Sequence, residues 1–269
     1  MRVIRNLFVS VLLFLFMAGC STVEITGRKQ LNLIPESEMI AMSFSQYDQF
    51  LSEHQLSHDT AAVAMVRRVG ERIASAVEEY FREKGMEDRI KNYHWEFNLV
   101  ESPEVNAWCM PGGKVVVYTG LLPVARNDTG LAVVLGHEIA HAIARHGNER
   151  MSHQLMAQMG GLALSEALHN KPAETQQLWM SVYGVGAQYG VLLPYSRLQE
   201  SEADHLGLIF MAMAGYDPHA ALAFWQRMAA ASQGEKPPEF MSTHPSDRTR
   251  IENIRKLLPE VMKYYRPQP

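Results

Sequence analysis

The sequence predicts an α+β fold, mainly helical with one small antiparallel sheet, and three observations predict it. Apolar residues recur at three- and four-residue spacing through much of the chain, as at Val66, Val69, Ile73 and Val77. Between Trp95 and Tyr118 that period gives way to alternation and to a β-branched run. Gly, Pro and Asn punctuate the stretches of helical period.

At 269 residues, 47% hydrophobic and 20% charged, the chain has the composition of one sizeable soluble domain. The net charge is -4 with both signs interspersed, which leaves no continuous basic footprint for nucleic acid. No nucleic-acid partner is expected.

At the N-terminus, Arg2 and Arg5 precede an apolar run from Leu7 to Phe16. The run is too short to span a bilayer, and residues 1–19 read as a cleaved export signal. The ending Ala18-Gly19-Cys20 resembles the bacterial lipobox, which implies a diacylglyceryl group on Cys20 as the first mature residue. Ser21 stands where an aspartate would resemble an inner-membrane retention signal. A lipid-anchored position on the periplasmic face of the outer membrane is therefore expected. Residues 20–35 are polar, with Gly27 and Pro35 as breakers, and read as a lipidated tether. With Cys20 modified, Cys109 is the one remaining thiol, and its apolar, strand-like setting beside Trp108 and Met110 predicts a buried, inert side chain.

From residue 36 to the end the sequence reads as one domain. Residues 36–83 predict one or two amphipathic helices, with the Val66 to Val77 stripe facing the core. Trp95 to Val100 alternates, and Lys114 to Tyr118 is rich in β-branched residues after the Pro111-Gly112-Gly113 turn, so these form the sheet. A helix should start with Asp128 or Thr129 as its N-cap and stop at Gly147 after His146. Residues 152–193 predict two helices broken near Asn170-Lys171-Pro172, with their methionines as adaptable core or groove lining. A further helix should run from about Tyr195 to Ala214, stopping at Gly215, and Asp217-Pro218 should start the next.

The chemistry is concentrated in His137-Glu138-Ile139-Ala140-His141, an H-E-x-x-H pattern inside the helix that begins near Asp128. Positions four apart share a helix face, so both imidazoles reach one metal ion. Glu138 can then point at a water instead of the ion. The surroundings, Ile139, Ala140, Ala142, Ile143 and Ala144, are apolar, and burying two histidines and a glutamate among them is costly unless a metal pairs with them. Zinc suits two imidazoles and a carboxylate, one ion per chain. A third ligand should come from Glu200-Ser201-Glu202-Ala203-Asp204. There Glu200 and Asp204 share a face, so that one binds zinc and the other accepts a hydrogen bond from a ligating histidine.

Together these segments resemble the M48 family of zinc peptidases over most of residues 36–255. The resemblance rests on His137-Glu138-x-x-His141, Glu200-x-x-Ala203-Asp204, Asn106-Ala107 followed by Pro111-Gly112-Gly113, and Thr243-His244-Pro245. It implies a zincin-like (gluzincin) domain over residues 36–269 with zinc on His137, His141 and Glu200. Glu138 is then the general base, and Asp204 is catalytic or supports a ligand. It also makes His244 a candidate oxyanion stabiliser, a position where some members carry a histidine that blocks the metal as a switch. The bacterial lipoprotein and periplasmic quality-control branch is the one it favours.

The expected function is a zinc endopeptidase of the cell envelope whose partners are polypeptides, chiefly unfolded or misassembled envelope proteins. The alternative is a zinc-bound holdase or assembly scaffold for outer-membrane proteins with little proteolysis. The strand Lys114 to Tyr118 is open to two readings: an edge to which an extended substrate adds, or a structural hairpin.

Overall fold

The computed structural model describes residues 20–23, 25–231, 239–244 and 248–267. The export signal at 1–19, the side chain of Cys20 that would carry the lipid, and Pro245 lie outside the described residues. The chain divides into two compact units, Met1–Met39 with Arg145–Gln199 and Ile40–Ala144 with Glu200–Pro269. Residues 36–269 are thus shared between two units where the sequence suggests one body.

The larger unit holds most of α1 (Glu36–Glu53), then α2 (Thr60–Glu83) and a three-stranded sheet of β3 (Glu96–Val100), β4 (Ala107–Met110) and β5 (Lys114–Tyr118). Asp59 caps α2 by accepting from the backbone N–H groups of Ala61 and Ala62 at 3.0 Å each. Val66, Val69, Ile73 and Val77 all face inward with no exposure, as their spacing predicts. Gly70 lies so close to the Phe97 ring that a Cβ there would collide with it, which seats α2 directly on β3.

The strand order is β3-β5-β4. β4, a strand not assigned to the sheet from the sequence, supplies the antiparallel pairing of the sheet with β5, with Ala107 opposite Val117 and Met110 opposite Lys114. β3 joins β5 in parallel, with Glu96 opposite Lys114 and Val100 opposite Tyr118. Lys114 to Tyr118 is therefore the central strand and presents no free edge. Among the described residues, the outer edge without a strand partner belongs to β4, since that of β3 bridges Leu56.

After α3 (Leu122–Ala125), α4 (Asp128–Ile143) carries the H-E-x-x-H segment. Its cap is Asn127, one residue before the expected start, whose side chain accepts from Gly130 N–H at 2.9 Å. Every residue from Gly130 to Ala142 is buried, so α4 is a core helix on all sides. It stops at Arg145, which adopts the left-handed conformation (φ 58°), and the predicted stop at Gly147 falls inside the next helix.

The unit is completed by the second part of α7 (Leu193–Met213), α8 (Ala220–Ala231), α9 (Glu239–Thr243) and α10 (Arg248–Val261). Gly215 at φ 83° ends α7 as expected. Asp217 accepts from His219 N–H in the turn that leads into α8.

Two glycines bring α4 and α7 into backbone contact. A Cβ on Gly136 would sit 2.7 Å from the Gly207 carbonyl oxygen, and one on Gly207 would sit 2.8 Å from the backbone of Gly136 and His137. A methyl group cannot enter without separating the helices. Gly207→Ala is expected to destabilise the protein by about 1–3 kcal/mol, measured by denaturant unfolding. It should also reduce the zinc retained after dialysis, because His137 adjoins one glycine and Asp204 lies one turn before the other.

The smaller unit begins with a hairpin, β1 (Cys20–Thr22) paired antiparallel with β2 (Lys29–Leu31). This corrects the reading of residues 20–35 as a plain tether. Arg28 grips the fully buried Glu149 of α5 (His146–Leu168) with two bonds of 2.7 and 2.8 Å. Gln199 donates to the same carboxylate at 2.7 Å. Ser152 accepts from Leu33 N–H, and Asn148 donates to the Ile34 carbonyl.

The unit continues through α6 (Ala173–Ala187) and a π-helical turn at Gln188–Leu192. The break at Asn170 to Pro172 falls as predicted, and α6 has no buried residue, so of the two roles expected, core and groove lining, α6 does not supply the first. Met159, Leu162, Leu178, Val182 and Val185 are all exposed. No helix among the described residues is long and apolar enough to cross a membrane.

Candidate metal centre

His137 and His141 stand one turn apart on α4 and are nearly inaccessible, with their Nε2 atoms 3.1 Å apart. Glu200 enters from α7. Its Oε2 lies 3.4 Å from His137 Nε2 and its Oε1 lies 3.3 Å from His141 Nε2. A fourth side chain joins them: His244 Nδ1 sits 2.9 Å from Glu200 Oε1 and 3.2 Å from His137 Nε2. One ligand atom from each of these four residues lies within 4.8 Å of every other.

Zinc at its usual 2.0–2.1 Å bond lengths requires tetrahedral donors to stand about 3.3 Å from one another. The separations of 2.9–3.4 Å given above meet that condition. The donor chemistry fits as well, with imidazoles and one carboxylate in an apolar pocket. The site residues therefore fit zinc.

The support behind the donors is equally defined. His137 Nδ1 donates to Asp204 Oδ1 at 3.0 Å, which turns Nε2 toward the other donors. Of the two carboxylates four apart on α7, Glu200 thus faces the donor set and Asp204 the back of a ligand. Glu138 is buried, and its Oε1 lies 3.6 Å from His244 Nε2. Cys109 on β4 is half-buried. Burial pushes its thiol well above the ordinary range, with the charge of Glu138 adding to the effect, in keeping with an inert side chain. The same interaction puts β4 beside the general-base candidate.

The charges depend on one another. Burial and the charge of Arg250 both lower His137, but its bonds with Asp204 and Glu200 outweigh them and lift it to about 9. Burial raises Glu200, yet bonds from His137, His141 and His244 hold it far below the usual carboxylate range. Burial likewise raises Asp204, and Arg250 and His137 bring it below its ordinary value.

Arg250 was missed in the sequence. Its Nε and Nη2 bind Asp204 at 2.8 and 2.7 Å, and Nη1 lies 3.3 Å from both Glu200 Oε2 and the His244 carbonyl oxygen. The guanidinium stacks over Trp225 at 3.4 Å. A signal was present: Arg250, Ile254, Leu258 and Val261 form one helical stripe, and an arginine on an otherwise apolar stripe needs a buried partner. The structure places His244 among the residues that could hold the metal. Local spacing could not show this, because His244 is 107 residues from His137.

Peptidase family M48 matches residues 67–258. Similar curated proteins include Mitochondrial metalloendopeptidase OMA1 of Schizosaccharomyces pombe, 35% identical over 88% of this chain and 66% of the relative. Metalloendopeptidase OMA1, mitochondrial, of Homo sapiens is 32% identical over 89% of this chain and 46% of the relative. The Beta-barrel assembly-enhancing protease of Yersinia pestis is 32% identical over 60% of this chain and 34% of the relative. The chain spans between about a third and two thirds of the length of these relatives. They correct one expectation: the relatives with the widest coverage are named as mitochondrial proteins, which overturns the lipid-anchored outer-membrane placement. From the four converging donors and the match over residues 67–258, the chain belongs to peptidase family M48.

Proposed function

We propose that the protein is a zinc-dependent endopeptidase that cleaves unfolded or misassembled polypeptides. The observation that carries this reading is the convergence of His137, His141 and Glu200 at zinc-like separations with Glu138 buried beside them. When bound, zinc supplies Lewis acidity for amide hydrolysis. Glu138 takes a proton from the attacking water and returns it to the leaving amine. Asp204 holds His137 in the tautomer and orientation that leave Nε2 for the metal. The open edge of β4 offers backbone groups to an extended substrate, a mode of binding largely indifferent to side chains. That suits unfolded chains, and the assembly-related name of the Yersinia pestis relative supports the same substrate class. Residues 36–269 make up the peptidase region, with every site residue in its larger unit.

The test is metal content by mass spectrometry on purified protein, together with cleavage of unfolded casein with and without chelator. About one zinc per chain and chelator-sensitive cleavage are expected. Zinc without cleavage would favour a holdase, and protein that takes up no zinc would sink the reading.

A second reading, a latent enzyme, is favoured by one observation: His244 Nδ1 fills the fourth donor position that catalytic zinc sites keep open. His244→Ala is accordingly expected to keep its zinc and to raise casein cleavage severalfold. A fall in rate with zinc retained would return His244 to the role of oxyanion stabiliser.

A further inference from the structure

The His244 arm is anchored by a residue that is not itself a ligand. Arg250 spreads its guanidinium over four partners: both oxygens of Asp204, the Glu200 carboxylate, the His137 ring, and the backbone carbonyl of His244. Trp225 lies flat against one face of that plane, and Phe240 stacks on Trp225 with ring centroids 5.9 Å apart. Phe240 also touches the His244 ring, and its carbonyl accepts from His244 N–H at 2.8 Å. Arg250 is itself buried, so its geometry is fixed from below by Trp225 and from the sides by two carboxylates. A planar, forked cation can satisfy three divergent acceptors in this way, whereas a lysine ammonium cannot.

Resting on the reading of His137, His141 and Glu200 as the zinc site with His244 as fourth donor, we propose that Arg250 is a positioning residue that holds the His244 arm on the metal. One end of the guanidinium is fixed to Asp204, which already orients His137. The other end grips the main chain of the arm. Whether the fourth donor position is filled is therefore set by the Arg250 to His244 carbonyl bond and not by His244 alone. The same residue ties the arm to the carboxylate Glu200, so that the arm and the ligand set move as one while Arg250 is in place.

The test uses the full chain with cobalt(II) in place of zinc, because the position and intensity of its visible band report the number of nitrogen donors. Arg250→Lys keeps the charge near Asp204 and Glu200 but loses the fork. Its spectrum is expected to move from that of the unsubstituted protein to that of His244→Ala, with cobalt affinity reduced no more than about tenfold. Adding Arg250→Lys to His244→Ala should produce no further spectral change. Trp225→Leu removes the ring beneath the guanidinium, leaves every charge in place, and gives a second route to the same shift should the lysine variant not fold. An Arg250→Lys spectrum identical to the unsubstituted protein would overturn the proposal. So would a change of equal size in the His244→Ala background, which would mean that Arg250 acts directly on Glu200 or His137. If His244→Ala alone leaves the spectrum unchanged, the underlying reading of His244 as a donor fails, and the proposal fails with it.

Discussion

Replacing Glu138 with glutamine is expected to lower casein cleavage by about 10²- to 10⁴-fold, the usual contribution of a positioned general base, while the zinc content stays at the unsubstituted level. The amide keeps the shape of the carboxylate but cannot take up a proton. Glu138 is not one of the four grouped donors, although its Oε1 lies 3.6 Å from His244 Nε2, so its substitution leaves the ligands intact. Cleavage by Glu138→Gln at the unsubstituted rate would remove Glu138 from the chemistry. An unchanged biological effect with abolished cleavage would favour the holdase reading.

The largest effect on stability is expected at Asp204. Its carboxylate and the Arg250 guanidinium are both buried, with side-chain exposures of 5% and 7%. Asp204→Ala leaves the arginine without its main partner and removes the acceptor that orients His137. Breaking a buried ion pair on one side costs about 3–5 kcal/mol, so the denaturant midpoint should fall clearly in chelator. Loss of a partner behind a metal ligand also weakens binding by about 10- to 100-fold, so saturating zinc should restore only part of the stability. A midpoint within error of the unsubstituted protein would mean that Arg250 finds other support when Asp204 is gone.

Much of this was legible in the sequence, for physical reasons that can be named. A four-residue spacing fixes a helix face wherever the helix lies, so the pairs His137 with His141 and Glu200 with Asp204 could be read without a fold. The Val66 to Val77 stripe was readable on the same ground.

What depends on distant partners was not legible. Alternation and β-branching marked Lys114 to Tyr118 as a strand but not its place in the sheet. The unbroken run Val115 to Val117, fully buried, was itself a sign of a strand with neighbours on both sides. The hairpin within residues 20–35 is clasped through Glu149, more than a hundred residues away, so its polar composition was read as a tether. Arg145 takes a backbone conformation usually left to glycine, so the glycine signal at Gly147 does not mark the true stop. His244 and Arg250 reach the centre only through tertiary packing.

The contact between Gly136 and Gly207 makes the centre a caliper of fixed opening. Where two helices meet through side chains, ligand spacing can drift as those side chains change rotamer. Here the stop is main chain against main chain, immediately before His137 on one arm and one turn after Asp204 on the other. A larger ion such as cadmium would have to be accommodated by swinging imidazoles and the carboxylate, because the arms cannot close further and are packed into the core behind. Retuning this protein for another metal therefore means changing donors, since the frame that carries them has no slack to give.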